Sequence, residues 1–196
     1  MKVYLTNLNE SWIVDRLRDE WYQHNTSISV DSIKQAEIIW IIAPWLWKKI
    51  KKKHLHDKKV VCSIYHLEDK DFEHKQIRDF KKRDSFVDVY HVISLKTKKE
   101  LEKLTDKVII YIPFWSDQLS WYEIKDKDSL RKKYSLPLDA YILGSFQRDT
   151  EGSDLKSPKL IKGPDRLVKI IEAKNRDSDK LVVLLTGKRR QYVIKE

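Results

Sequence analysis

Arg148 and Lys162 stand at the two ends of one loop in the stretch Tyr141–Pro164, YILGSFQRDTEGSDLKSPKLIKGP. The stretch opens as a short apolar β-type run, passes through Asp, Ser, Gly and Pro, and closes on Gly163-Pro164 before a helical pattern. Pro164 suits the first helical position, where its missing N–H would be unpaired anyway, and Leu167, Ile170, Ile171 and Lys174 follow at helical spacing. Lys162 therefore precedes a helix N-terminus, which offers free N–H groups and the positive end of the dipole to an anion. Arg148 adds a forked cation at the strand's exit, and Gly163 lets the backbone approach a ligand closely. That combination suits a diphosphate. The plain alternative is a solvated loop in which Arg148 pairs with Asp149 or Glu151. His66 follows the apolar run Val60–Tyr65, at the C-terminal edge where parallel α/β sheets bind ligands. Glu68 and Asp69 are placed to orient it.

These residues resemble those of a known family. Ile142-Leu143-Gly144-Ser145-Phe146-Gln147-Arg148 followed by Lys162-Gly163 resembles the first strand, phosphate-binding Arg and Lys-Gly helix start in the C-terminal domain of group 1 glycosyltransferases, retaining enzymes of the GT-B fold. Ile112-Pro113-Phe114-Trp115-Ser116-Asp117 is similar to the family's interdomain segment. Val92-Ile93-Ser94 with Thr97 and Leu101 is similar to its Ser-x-x-Thr strand and helix, and Ser63-Ile64-Tyr65-His66 to its strand ending in an active-site His. The resemblance implies a nucleotide-sugar donor whose diphosphate is held by Arg148, Lys162 and Gly163, with His66 against the donor sugar. It implies a glycan or lipid-linked acceptor, and no metal or other cofactor. The resembling enzymes carry further donor-binding residues beyond the point where this chain stops. The resemblance thus implies a second domain cut short, and leaves open whether this chain is active alone.

Composition bounds these readings. The chain has 196 residues, 41% of them hydrophobic, enough for one large domain or one domain with part of another. Lys+Arg 40 against Asp+Glu 30 gives +10, which favours anionic partners. The single cysteine, Cys62, excludes an internal disulfide and suits a reducing, cytoplasmic compartment. Cys62 with His66 is too thin for zinc, which takes four ligands. The chain starts at once with strand-like Val3-Tyr4-Leu5 and shows no signal-peptide pattern. Its longest apolar run, Ile38 to Trp47, is about half of the ~20 residues that cross a bilayer. No G-x-G-x-x-G follows a strand, and Thr186-Gly187-Lys188 lacks the preceding Gly of a P-loop, so dinucleotide and Walker-type binding are not expected.

The elements that must position these residues alternate. Val3–Leu5, Ile28–Val30, Ile38–Ile42, Val60–Tyr65, Val89–Ser94 and Val108–Ile112 read as six strands, and amphipathic or charged segments separate them. Continuously apolar strands between helices predict an α/β fold, a Rossmann-like parallel sheet flanked by helices on both faces. This first domain spans 1–116. Residues 117–140 break the rhythm and read as a linker with a short helix over Ser129–Tyr134. A second alternation, 141–196, has strands Tyr141–Phe146 and Leu181–Thr186, the helix from Pro164, and Gly187 leading into Tyr192–Ile194. This is the first part of a second Rossmann-like domain.

Pro44–Leu55, PWLWKKIKKKHL, reads as one helix. Trp45 and Trp47 with Lys48, Lys49, Lys51, Lys52 and Lys53 suit an anionic membrane interface, hence peripheral membrane contact. The bland alternative is a core-facing helix with a solvated lysine face. Lysines and aromatics also suit nucleic acid, but no nucleic-acid motif is present and no such partner is expected. Against the enzyme stands a reading from another class, a non-catalytic basic module binding an anionic membrane surface or nucleic acid.

Overall fold

The computed structural model describes residues 1–9, 13–67, 73–119, 121–152, 155–177 and 180–196. The chain divides into two compact units, Met1–Tyr122 and Glu123–Glu196. Residues 117–122 of the expected linker belong to the first unit, and the remainder belongs to the second.

The first unit runs β1 (Val3–Leu5), α1 (Ile13–His24), β2 (Ile38–Ile41), a 3-10 helix (Pro44–Lys49), α2 (Lys52–Asp57), β3 (Lys59–Ile64), α3 (His74–Asp84), β4 (Val89–Val92), α4 (Leu95–Leu101) and β5 (Val108–Tyr111). Its five strands form one parallel sheet in the order β1-β2-β3-β4-β5. This is the expected α/β architecture, a parallel sheet flanked by helices and compatible with a Rossmann-like fold.

The sixth expected strand, Ile28–Val30, is reduced to one parallel bridge, Val3 with Ser29. Val3 N–H donates to Ile28 O at 2.8 Å and Val30 N–H donates to Val3 O at 3.0 Å. The turn at Asn25, whose carbonyl accepts from both Ile28 N–H and Ser29 N–H, leaves little extended chain to pair further. The short segment still decides the topology. It lies on the edge of β1 away from β2, so the chain winds outward from β1 and then passes back over it to reach β2. Such a reversal marks a doubly wound sheet.

Both faces of the sheet are covered as a result. Trp21 of α1 meets Trp40 of β2 edge to face, with ring centroids 5.0 Å apart. Phe80 of α3 stacks on Tyr90 of β4 at 5.9 Å. Trp40 shares a register row with Val89, so Tyr90, one residue on, points to the opposite face. Leu5, Ile39, Ile41, Val60, Cys62, Tyr90 and Leu101 are fully buried in the core. Burial pushes the Cys62 thiol up to about 11, which keeps it protonated and inert.

The single helix expected over Pro44–Leu55 is two pieces. Ile50 (φ −94, ψ 135) and Lys51 (φ −64, ψ 129) are extended and separate the 3-10 helix from α2. One continuous helix would stack Lys48 on Lys52 and Lys49 on Lys53 at i,i+4, where like charges repel. Breaking at Ile50 relieves that and lets Leu46, Trp47 and Ile50 pack on the core.

The second unit holds α5 (Lys127–Lys133), β6 (Tyr141–Ser145), α6 (Pro164–Asp177), β7 (Leu181–Leu185) and α7 (Gln191–Lys195). Asp126 caps α5, its Oδ1 accepting from Ser129 N–H at 2.9 Å. β6 and β7 pair in parallel, residue for residue. Tyr192–Ile194 lies in α7. Among the described residues of this unit only Ala140 and Val193 are buried hydrophobics. No described helix in either unit is long and apolar enough to cross a membrane.

Candidate functional site

In the second unit, the loop after β6 is closed by its own chain. Thr150 bridges Pro158 in antiparallel fashion, Glu151 N–H donates to Ser157 O at 2.9 Å, and Lys159 N–H donates to Asp149 O at 2.8 Å. The Gln147 side-chain amide then donates to Lys162 O at 2.5 Å, fifteen residues away. This last bond joins the neighbour of Arg148 to the carbonyl of Lys162, so the chain carrying the two cations is drawn together. Arg148 and Lys162 are both exposed.

The acids that were alternative partners for Arg148 are engaged elsewhere. Asp149 is buried, and its carboxylate accepts from Tyr192 N–H at 3.4 Å and Val193 N–H at 3.1 Å, which anchors the start of α7. Glu151 approaches Lys159 at 4.0 Å. Among the described residues neither carboxylate pairs with the Arg148 guanidinium.

Gly163 ends the 3-10 helix Leu160–Lys162 in the left-handed region, φ 66 and ψ 38. A Cβ there would meet nothing closer than Arg166 side-chain carbon at 3.6 Å. Backbone angle rather than space therefore selects glycine, because an L-residue in that region costs about 1–2 kcal/mol. Helix α6 starts directly after it, with Leu167 N–H donating to Gly163 O at 3.1 Å. Asp165 stands in its first turn and also complements the dipole. Arg148 and Lys162 together must outweigh that carboxylate for an anion to bind.

The sequence reading assigned no role of their own to three residues of this unit. Gln147 closes the loop, and Arg190 and Ser145 form a buried pair beneath it, Arg190 Nη2 donating to Ser145 Oγ at 2.8 Å. Arg190 is 6% exposed, and its Nε and Nη1 have no hydrogen-bond partner among the described residues. Its place just beyond the C-terminal end of β7 was the available signal, since ligands of parallel sheets bind past those ends.

In the first unit, His66 lies two residues past β3 and is exposed. It lines a cavity of about 250 Å³ with Pro44, Lys75, Gln76, Asp79 and Arg83. Glu68 and Asp69 lie outside the described residues. Ser94 caps α4, accepting from Thr97 N–H at 3.1 Å, and Thr97 Oγ1 donates to Tyr65 O at 3.3 Å. These two residues thereby fix the chain leading into His66.

A second histidine is held inside the sheet. Trp40 Nε1 donates to Ser63 Oγ at 2.9 Å, Ser63 Oγ meets His91 Nδ1 at 2.9 Å, and His91 Nε2 meets Ile112 O at 2.9 Å. A carbonyl only accepts, so His91 carries its proton on Nε2 and Ser63 donates to Nδ1. Burial lowers the His91 pKa. Ser63 is fully buried, so this Ser–His pair is a packing device and not a nucleophile.

Neither protein-family models nor curated proteins give a match to the chain.

Proposed function

We propose that the chain belongs to a GT-B-type glycosyltransferase and that its second unit binds the diphosphate of a nucleotide-sugar donor. The observation that carries this reading is the closed β6–α6 loop: the Gln147 amide on Lys162 O holds the chain next to Arg148 against the chain that enters a fourteen-residue helix. Two exposed cations and unpaired N–H groups of a helix start suit two linked phosphates. In transfer, the anomeric C–O bond to the diphosphate breaks, the acceptor oxygen bonds to that carbon, and the acceptor proton leaves to the departing phosphate. Arg148 and Lys162 stabilise the charge that grows on that phosphate, without a metal. His66 is the group proposed to hydrogen-bond the donor sugar. The acceptor is a glycan or a lipid-linked glycan, and the work place is the cytoplasm, at or near a membrane.

The second reading, a non-catalytic basic module on an anionic membrane surface, is favoured by Trp45, which is 46% exposed in the same segment as the exposed Lys49. Calorimetric titration with nucleoside diphosphates separates the two. The enzyme reading expects binding that Arg148→Ala and Lys162→Ala each weaken by ~1.5–3 kcal/mol, the scale of charged hydrogen bonds. Absence of binding, or unchanged affinity in both variants, overturns the diphosphate site.

A further inference from the structure

The break at Ile50 and Lys51 changes where the lysines go. Lys49, Lys51 and Lys53, together with Lys34 from the turn before β2, line a cavity of about 470 Å³ in the first unit. His54 and Tyr4 complete its polar wall, and Leu46, Ile33 and Ile50 supply apolar surface. No acidic residue lines it, and none of the four lysine ammonium groups has an ion pair among the described residues. Lys48, by contrast, is outside the cavity and bonded to Asp79 at 2.8 Å.

The cavity also has a place in the topology. It runs along β1 from Tyr4 to Thr6 and Asn7, past the strand's C-terminal end. There Thr6 Oγ1 accepts from Ile42 N–H at 3.0 Å, joining the ends of β1 and β2. Those are the two strands between which the winding reverses, and a doubly wound sheet leaves its ligand crevice there.

Four like charges on one concave wall repel one another, and their field is focused by the low-dielectric floor. A multiply charged anion removes that repulsion. From this concentration of unpaired lysines at the switch point we infer a second anion site, one that takes a phosphate-bearing ligand with at least two negative charges. It lies in the other unit from the proposed donor site and does not depend on that reading. Its phosphate comes either from a free phosphorylated metabolite or from the headgroup of an anionic lipid.

The test follows the His54 imidazole resonances by NMR while inorganic pyrophosphate is added, so that binding in the second unit does not register. A parallel arm measures sedimentation with equimolar phosphatidylglycerol and phosphatidylcholine vesicles, against phosphatidylcholine alone. Saturable His54 shifts identify the free phosphate; binding only to the acidic vesicles identifies the headgroup. In whichever arm binds, Lys49→Ala and Lys51→Ala should each weaken binding roughly fivefold, the worth of one lysine near an anionic surface. Lys48→Ala and Lys52→Ala, whose side chains do not line the cavity, should have little effect. Equal losses from all four variants would mean diffuse attraction by the whole segment and would overturn the site. So would no binding in either arm.

Discussion

The two units solve the problem of stability differently. The first buries a continuous apolar core between two helical layers, with Leu5, Ile39, Ile41 and Val60 fully withdrawn from water. The second buries only Ala140 and Val193 among its described hydrophobics, and relies on a polar lattice in which Arg190 donates to Ser145 and the Asp149 carboxylate accepts from Tyr192 and Val193. Apolar burial is non-directional and tolerates small shifts, whereas hydrogen bonds hold only at defined distances. The first unit therefore behaves as scaffold. The second places specific groups at specific positions and keeps little free energy in reserve.

The largest effect that could break this contrast is a core truncation. Ile41→Ala should cost ~2–5 kcal/mol by transfer and cavity terms together. Val183→Ala in half-buried β7 should cost about 1 kcal/mol or less, because less area is lost from burial. Urea denaturation measures both. Equal costs would mean that the second unit holds a core after all.

Next comes the polar lattice. Asp149→Ala leaves Tyr192 and Val193 N–H without their acceptor and should cost ~1–3 kcal/mol. Hydrogen exchange should show lost protection in α7 and unchanged protection in β1–β4. Protection of α7 that survives would remove the lattice as the stabilising feature.

The smallest effect is a pH dependence confined to one unit. All six histidines precede residue 92, so the second unit has none. Burial holds His91 below its unfolded pKa, so the neutral ring is favoured in the fold. That contribution is complete above the ordinary histidine value of about 6.5 and is lost as pH falls below it towards the folded pKa. Protection of β4 should thus decline as pH falls below about 6.5 while that of β7 holds. His91→Gln should flatten the decline; the same slope in both strands would sink the assignment.

Much of the first unit was legible because its strands are continuous apolar runs, and burial on both faces demands that pattern. Ile28–Val30 shares the pattern yet pairs at only one point, since the Asn25 turn limits it, and no local signal carried that. Pro44–Leu55 misled for a related reason: an amphipathic count registers Trp and Lys positions but not the repulsion between stacked lysines that favours a break at Ile50. In the second unit, residue types and spacing nominated Arg148, Lys162 and Gly163 as the candidate site. The Gln147 bond and the burial of Arg190 depend on how a long loop closes, which neither spacing nor periodicity records.

The Gln147–Lys162 bond has a further consequence, and it is kinetic. Bringing the ends of a fifteen-residue segment together has a loop-closure cost of about 2.4 kcal/mol on the logarithmic scaling. In this chain folding has already met that cost before any ligand arrives. On the proposed diphosphate reading, an anion reaching Arg148 and Lys162 would meet a loop already closed, so its association rate should follow charge and ionic strength, with no slow rearrangement of the loop ahead of binding.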